Sequence, residues 1–446
     1  MAHTFVRAVS PFLGTFPSPE VGILGTSMQV VIPTTVGSSV DRLSRYAFVF
    51  AFLASLTGLV SIAASHVCLG MALVLLLASK TPLRMPLAAL PLAGFMGLTI
   101  ASMLASDEPL AGWPQLKKFY VFAFLVVLYS LFRSVDQAQR LYQAWFVAAL
   151  VAAGLSVAQF VYKWIQLEAT GGDFDVEYIG DRITGFFSHW MTFSEVILLV
   201  FVVLLSYLMF SESARSRTRV IWIGVSIVLA VSLLLTFTRS VWLALMVSAG
   251  YLIWHWNKKL LLAAPVLLGV LVLIAPGAAQ RRIQSIANPD ANSARLIMWK
   301  TGWRMVQAHP WLGVGPMRVG ARFGEFVPEG TGELPDAYYE HLHNVFIHYG
   351  AERGIPAALM ILWLLAWVIW DHGKALTRLP PGRGGRRFIL QATIAATIGV
   401  LTMSCFDLTL GDSEILAVYL AIVALGYRAV QSIPATSPRD SGMLPA

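Results

Sequence analysis

Apolar runs about as long as a membrane-spanning helix alternate with short polar segments along most of the chain. A span needs about 20 apolar residues, because the hydrocarbon core is about 30 Å thick and a helix rises about 1.5 Å per residue. The pattern therefore predicts an all-α polytopic integral membrane protein with about twelve transmembrane helices. They are expected at about residues 46–64, 66–80, 86–105, 118–134, 141–162, 185–210, 219–237, 240–256, 260–275, 344–370, 388–406 and 412–428.

Composition supports this fold class, since 57% of the residues are hydrophobic and only 13% are charged. A soluble domain is about half apolar and about a quarter charged. Residues 1–40 are rich in Pro, Ser, Thr and Gly without a long apolar run, so we expect a mobile extension and no cleavable signal. Residues 41–430 are predicted to form the bundle and residues 431–446 a cytoplasmic tail.

Basic residues in the short polar segments predict the orientation, because cytoplasmic loops of membrane proteins carry an excess of Lys and Arg. With the N-terminus inside, one side collects Arg42, Arg45, Lys80, Arg84, Arg133, Arg140, Arg215, Arg217, Arg219, Lys258, Lys259, Lys374, Arg378, Arg383, Arg386 and Arg387. That side is predicted to be the cytoplasm, and an even number of spans returns the C-terminus to it. The net charge of +8 is then explained by anchoring, and we expect membrane lipids rather than nucleic acid as partners.

Two longer polar segments, 163–184 and 276–343, fall on the other side of the membrane. The second, between the ninth and tenth predicted spans, is far longer than an ordinary connection, so we expect it to fold and to carry function. Within it, "SARLIMWKTGWRMVQAHP" predicts an amphipathic helix at the membrane surface. The apolar positions of that helix are Leu296, Met298, Trp299, Trp303 and Val306.

Three arginines on this outer side are candidates for binding phosphate. Arg239 lies in a very short turn among apolar neighbours, Arg182 precedes a re-entry into the membrane, and Arg295 opens the amphipathic helix. In an ordinary membrane protein, Arg239 would contact a lipid headgroup, Arg182 would be an interfacial anchor, and Arg295 would lie on a solvated helix face. Together they would bind phosphate, because the guanidinium fork matches phosphate oxygens and stays charged at neutral pH. Lys118 and Arg318 are secondary candidates.

The stretch "YYEHLHNVFIHYGAERGIPAALM" places three histidines where the chain turns from polar to apolar. His343 lies at the expected mouth of the bundle, and a neutral imidazole can accept a proton near neutral pH. His341 is the alternative base, and His348, deeper in the span, is assigned a structural role. Asn344 is a secondary candidate that would orient His343. The ordinary role of such a histidine is a satisfied interfacial residue.

The same stretch contains features of helix packing. Gly350 and Gly354 are four residues apart and predict a smooth strip for a close helix contact. Pro356 is expected to start or kink the main span. Glu352 and Arg353 are expected to form ion pairs near its mouth, either with each other or with other helices.

A cluster of cations beside a general base favours one kind of chemistry. The imidazole would deprotonate an acceptor hydroxyl, and the arginines would stabilise a departing lipid-linked phosphate or pyrophosphate. No nucleotide cofactor is expected, because the lipid pyrophosphate is already activated.

Three segments resemble the shared region of bacterial O-antigen ligases, O-antigen polymerases and related O-oligosaccharyltransferases. They are "TFTRSVWLAL", "ARLIMWKTGWRMVQAHPWLGVGPM" and "HLHNVFIHYGAERGIPAAL", within about residues 182–370. The resemblance implies that His343 is the functional histidine and that Arg239 and Arg295, with Arg182, are the functional arginines. The chain departs from the family pattern in one respect, because His341 duplicates the histidine.

For a ligase, the resemblance implies transfer of O-antigen polysaccharide from undecaprenyl pyrophosphate to lipid A–core oligosaccharide. The reaction would be an inverting, metal-independent displacement at the periplasmic face of the bacterial inner membrane. A polymerase, which extends the glycan on the polyprenyl carrier, fits the same motifs. The ligase is the preferred interpretation.

Two other classes of protein predict different patterns. A transporter of lipid-linked sugar would show internal repeats and charges near the bilayer midplane, whereas the charges here collect at one face. A metal-dependent glycosyltransferase would use carboxylates on the outer side. Asp173 and Asp175 in "GGDFDVEY" have the required spacing in a glycine-led loop.

Overall fold

The computed structural model describes residues 35–212, 216–262, 277–284, 293–332, 334 and 339–433. Each regular element in these ranges is a helix. The α-helices are α1 (Thr35–Thr57), α2 (Ile62–Ala78), α3 (Ala89–Ala105), α4 (Trp113–Lys117), α5 (Ala123–Leu131), α6 (Val135–Thr170), α7 (Phe174–Gly180), α8 (Trp190–Phe210), α9 (Ser216–Leu235), α10 (Arg239–Asn257), α11 (Gly277–Gln284), α12 (Ser293–Ala308), α13 (Val345–Arg353), α14 (Ile355–Leu376), α15 (Gly385–Ser404) and α16 (Ser413–Gln431). Short 3-10 helices lie at Pro109–Gly112, Lys118–Phe122, Lys258–Leu262, Phe323–Phe326 and Thr409–Gly411.

The helices agree with a polytopic membrane protein. Among the described residues, seven candidate spans are long and apolar enough to cross a membrane: Pro109–Leu131, Val135–Thr170, Trp190–Phe210, Thr218–Leu235, Ile355–Leu376, Gly385–Ser404 and Ser413–Gln431. Helices α2 and α3 are apolar but shorter. The predicted span at 260–275 lies mostly outside the described residues, as do most of the N-terminal extension and of the tail. The total of about twelve spans remains a prediction.

Helix α8 lies at the centre of the bundle. Its most apolar stretch is 89% buried, against 22% for α9 and 33% for α14. Helices α15 and α16, each 78% buried, complete this centre, and α15 packs against α8, α10, α14 and α16. Serine hydroxyls join these helices, since Ser206 donates to the Phe388 carbonyl at 2.7 Å and Ser248 to the Ala395 carbonyl at 3.0 Å. Such bonds are an ordinary means of joining helices where no water is present.

Contacts between connecting segments divide the bundle into two ends. At one end, which we call the site end, the loop after α12 contacts the loop after α3, and Lys118 reaches the Gly411 carbonyl. At the opposite end, the loop between α2 and α3 contacts the end of α5, and Gly384 donates to the Phe210 carbonyl. Helix α16 runs between the two ends, and its 19 residues span about 28 Å.

The predicted span at 344–370 is two helices. α13 ends at Arg353 and α14 begins at Ile355, because Gly354 has a φ of 87° that a right-handed helix cannot contain. Pro356 falls in the first turn of α14, where its missing N–H costs nothing. The two glycines therefore do not form one strip. Gly350 packs against α12, because a Cβ atom built on Gly350 would lie only 3.2 Å from Val306. Gly354 instead forms the break between the two helices.

The amphipathic helix predicted in the long segment is α12. Of its predicted apolar positions, Met298 and Val306 are buried, whereas Leu296 and Trp303 are exposed, and Met305 joins the buried face. The reason is the contact with α13, where Gly302 brings α12 so close that a Cβ there would meet Leu342 and Ile347. The described part of the segment contains α11 and α12.

The turn after α12, residues 310–317, is bonded to the break between α13 and α14. The N–H of Val314 donates to the Ala351 carbonyl at 2.8 Å, and that of Gly315 donates to the Glu352 carbonyl at 2.9 Å. The Glu352 carboxylate also accepts from the Met317 N–H at 2.6 Å. The long segment is therefore fixed to the bundle by backbone bonds.

The buried charges near this turn have a structural role. Arg353 and Glu352 form the expected ion pair, with 3.0 Å between Nη2 and Oε2 and each residue at most 2% exposed. The Arg353 guanidinium also lies over the Phe95 and Tyr349 rings, at 4.9 and 4.5 Å from their centroids. Because Glu352 also holds the turn after α12, we infer that the pair anchors that turn rather than binding substrate.

A methyl group at Gly354 is expected to destabilise the protein strongly. A Cβ there would lie 2.1 Å from the Trp311 carbonyl oxygen, and an L-residue at this φ adds strain. We expect Gly354→Ala to lose about 3 kcal/mol or more of stability, measured by thermal unfolding of the purified protein. Gly373→Ala, inside α14 with open space around it, is the matched control. Equal melting of the two variants would contradict this account.

Candidate active site

Four arginines gather at the site end of the bundle. The charges of Arg282, Arg239 and Arg295 all act on Arg182, and those of Arg282 and Arg295 act on Arg239. They come from the loop before α8, the first residue of α10, α11 and α12. The structure thus brings the three arginines singled out by sequence into one group and adds Arg282.

Arg182 is the most buried of this group, at 8% exposure. Its Nε donates to the Ile179 carbonyl at 2.9 Å, and its guanidinium lies 4.7 Å from the centroid of the Trp190 ring. Burial and the neighbouring arginines lower the pKa of Arg182 to about 9, which leaves it charged at neutral pH. Like charges held this close favour the binding of an anion.

The start of α10 adds to this positive region. Arg239 is the first residue of α10. The side chain of the N-cap residue Thr238 makes no capping hydrogen bond to this helix. Phe237, just before it, has a φ of 49° in the left-handed region, and its carbonyl accepts from Arg282 Nε at 3.2 Å. The uncapped N–H groups and the helix dipole therefore reinforce the attraction for an anion.

Arg295 connects the arginine group to a histidine–carboxylate pair. It stands four residues before Trp299 and so on the same face of α12. The Trp299 ring lies 6.3 Å from the ring of Phe406, in the turn between α15 and α16. The charge of Arg295 acts on Asp407 in that turn.

The pair consists of His343 and Asp407, with 3.0 Å between Nδ1 and Oδ1. Burial raises the pKa of Asp407, but the hydrogen bond and charge of His343, the Leu408 N–H and Arg295 lower it overall. A carboxylate bonded to Nδ1 holds the proton there and leaves Nε2 as the acceptor. The His343 backbone has a φ of 45°, a strained conformation that the surrounding structure must maintain.

Asn344 fixes the backbone beside this pair. Its Oδ1 caps α13 by accepting from the N–H groups of Phe346 and Ile347, both at 3.0 Å. Its Nδ2 donates to the Cys405 carbonyl at 2.9 Å, two residues before Asp407. Asn344 therefore acts through the backbone, whereas the sequence predicted that it would orient the imidazole directly.

The other two histidines belong to the buried ion pair of α13. The ring centroids of His341 and His348 are 5.7 Å apart, and His348 Nε2 lies 3.7 Å from Glu352. Burial lowers the pKa of His341, which disfavours its protonation. These contacts favour His343 over His341 as the base.

The two secondary cations lie apart from the arginine group. Arg318 bonds to both Asp107 and Glu108, at 3.0 and 2.8 Å, so its charge is neutralised in a link between loops. Lys118 Nζ donates to the Gly411 carbonyl at 3.2 Å, at the edge of the turn that carries Asp407.

Besides Arg282, three residues of the site were not singled out by sequence. Asp407 stands in a short turn between spans, and His189 caps the start of α8 with its ring stacked on Trp190 at 4.0 Å. Glu195 is fully buried in α8, and the charges of Asp407 and Asp412 act on it. A carboxylate in an apolar run was the available signal, because ionisable residues inside spans are functional candidates by default.

The two carboxylates considered for a metal are Asp173 and Asp175. Asp173 directly precedes α7, and the side chain of Asp175 lies outside the described residues. Within the described ranges, no group of three or more His, Cys, Asp or Glu side chains has the arrangement of a metal site.

Comparison with known families gives one match. Residues 224–362 match the family described as O-antigen ligase, and no curated protein matches the chain. The matched region contains Arg239, Arg282, Arg295 and His343, while Arg182 and Asp407 reach the same site from outside it. The region at residues 224–362 is therefore similar to the O-antigen ligase family.

Proposed function

We propose that the protein is an O-antigen ligase, which transfers O-antigen polysaccharide from undecaprenyl pyrophosphate to lipid A–core oligosaccharide. The observation that carries the proposal is the His343–Asp407 pair beside four arginines. His343 and three of these arginines belong to the region that matches the family. The family supports O-antigen glycosyl transfer in general. The donor, the acceptor and the roles of the residues are our proposal.

In the proposed reaction, the arginines bind the pyrophosphate of the donor. His343 Nε2 accepts the proton of an acceptor hydroxyl while that oxygen forms a bond to the anomeric carbon. The bond from this carbon to the pyrophosphate oxygen breaks, and the lipid pyrophosphate leaves with the electron pair. Asp407 stabilises the imidazolium that forms. Attack opposite to the leaving group inverts the anomeric configuration.

The arginines would supply the charge stabilisation for this step without a metal. Fixed guanidinium groups around a leaving pyrophosphate stabilise charge as it develops, and each such group is worth about 10²–10³ in rate. Arg295, whose charge also acts on Asp407, would couple the leaving-group side of the site to the base. No cofactor is proposed.

We place the site at the periplasmic face of the bacterial inner membrane, with both termini in the cytoplasm. Support comes from the short basic loops at the opposite end of the bundle, which the positive-inside bias assigns to the cytoplasm. Among them are Arg84 and Arg133 beside the end of α5, and Arg383 before α15.

The alternative of an O-antigen polymerase predicts a different product. The purified protein would be incubated with glycan-bearing undecaprenyl pyrophosphate, with and without lipid A–core, and the products separated by gel electrophoresis. A ligase yields glycan on lipid A–core only when the acceptor is present. Lengthening of the glycan on the carrier would instead identify a polymerase, and unchanged covalent species would favour a transporter.

Removing the carboxylate of the base pair is expected to slow transfer about a hundred-fold. In Asp407→Asn, the amide cannot stabilise the imidazolium and favours the wrong tautomer of His343. Asp371→Asn, at the opposite end beside Tyr427, is the control and should keep wild-type activity. Equal rates for the two variants would exclude the role of Asp407.

A further inference from the structure

A second group of arginines surrounds a cavity at the opposite end of the bundle. The cavity has a volume of about 310 Å³ and is lined by Thr81, Pro82, Arg84, Ser130, Arg133 and Arg428. Arg428 lies in the last turn of α16, so the cavity is separated from the proposed active site by most of that helix. We infer that this cavity binds the phosphate group of an anionic lipid headgroup.

The charges around the cavity call for an anion. The charged groups that act on Arg428 are Arg84 and Arg133, and no carboxylate of the described residues acts on it. The Arg428 guanidinium lies 5.6 Å from the centroid of the Tyr129 ring, and its buried Nε has no hydrogen-bond partner in the described part of the chain. Like charges without a counter-charge repel each other, and an anion between them removes that cost.

The arginines are held in place by their backbones. The Arg84 N–H donates to Ser130 Oγ at 2.9 Å, and that hydroxyl lies 3.3 Å from the Arg84 carbonyl oxygen. The Arg133 N–H donates to Gln137 Oε1 at 2.7 Å, in the capping box that starts α6. The loop after α2 and the turn between α5 and α6 therefore form a rigid rim around the cavity. The Ser130 hydroxyl is bonded to the Arg84 backbone and Thr81 Oγ1 lies 2.8 Å from Ser79 Oγ, so the guanidinium groups would make the contacts to a phosphate.

The surroundings of Arg84 favour a lipid over a free phosphate ion. In the same short loop, Leu83, Met85 and Leu87 are 46%, 67% and 59% exposed. Apolar side chains that flank a cation at the end of a span fit the boundary between headgroups and acyl chains. A ligand that satisfies both features has a phosphate and an apolar tail. Nothing in this inference depends on the reaction proposed for the site end.

Thermal unfolding of the full-length protein with added lipid tests the inference. The probes are phosphatidylglycerol, phosphatidylcholine and inorganic phosphate, each added to protein in neutral detergent. The variant is Arg84→Gln/Arg428→Gln, and the control is Arg378→Gln/Arg383→Gln, which removes two charges from exposed positions at the same end. Native mass spectrometry gives the affinities for lipid.

We expect phosphatidylglycerol to raise the melting temperature of wild type and control, and phosphatidylcholine to have little effect. The cavity variant should bind phosphatidylglycerol about 25-fold more weakly, at about five-fold for each arginine. Without lipid it should melt at or above the wild-type temperature, because repulsion is relieved. A rise of the wild-type melting temperature with inorganic phosphate alone would identify free phosphate as the ligand. Equal lipid binding by the cavity variant and the control would overturn the inference.

Discussion

Replacing His343 by alanine is expected to slow glycan transfer about a thousand-fold, since general base catalysis contributes about 10²–10⁴ in rate. Donor affinity should change little, because the arginines that would bind the pyrophosphate are untouched. The loss should therefore appear in the single-turnover rate at saturating donor and acceptor. We expect the largest effect here because two features position the imidazole of His343. They are its hydrogen bond to Asp407 and the strained backbone conformation of His343 itself.

His341→Ala provides the matched control for this prediction. Its ring packs towards His348 rather than Asp407, so we expect a loss of less than about ten-fold in rate. Circular dichroism and thermal unfolding would show that both variants are folded. If His341→Ala abolished transfer while His343→Ala remained active, the roles of the two histidines would be reversed.

Alanine at Arg295 or Arg182 is expected to reduce transfer about 10²–10³-fold through loss of charge stabilisation on the leaving pyrophosphate. Lysine at either position should restore only part of the activity, because an ammonium cannot bond bidentately to phosphate oxygens. Arg295→Ala should also perturb the pH–rate profile, since Arg295 acts on Asp407, whereas Arg182→Ala should not. Initial rates across pH with a fixed acceptor concentration measure both effects.

Arg304→Ala is the control for the arginine variants. Arg304 stands on the same helix as Arg295, but it is exposed and donates to the Val327 carbonyl at 3.2 Å, away from the arginine group. We expect its rate to stay within about two-fold of wild type, as for other surface substitutions. A loss equal to that of Arg295→Ala would mean that general surface charge, not the site, supports the reaction.

Candidate residues marked by a local contradiction could be singled out from the sequence alone. Arg239 among apolar neighbours and His343 at a polar–apolar boundary attracted attention because such placements are costly. Arg282 and Asp407 were missed, because each has an ordinary local setting and its meaning comes from residues distant in the chain. In the sequence, Asp407 resembles an ordinary turn residue between spans. In the structure, its Oδ1 lies 3.0 Å from His343 Nδ1.

Hydrophobic periodicity located most helices but not the backbone details that shape the site. It merged α13 and α14 into one span, since the break depends on the left-handed conformation of Gly354 and on its contact with Trp311. It also did not mark Gly302 as part of the buried face of α12, because small residues can be the buried positions where two helices touch closely. The break at Gly354 and the helix contact at Gly302 position the segments that carry His343 and Arg295. The site therefore depends on packing that hydrophobic periodicity does not reveal.

The most direct test of the proposed mechanism is the anomeric configuration of the new glycosidic bond, determined by NMR for product made by the wild-type protein in EDTA. Direct displacement by an acceptor oxygen, with His343 as base and the arginines on the leaving pyrophosphate, predicts full activity without metal and inversion of the donor configuration. Retention of configuration, or activity that returns only when a divalent cation is added, would contradict the account.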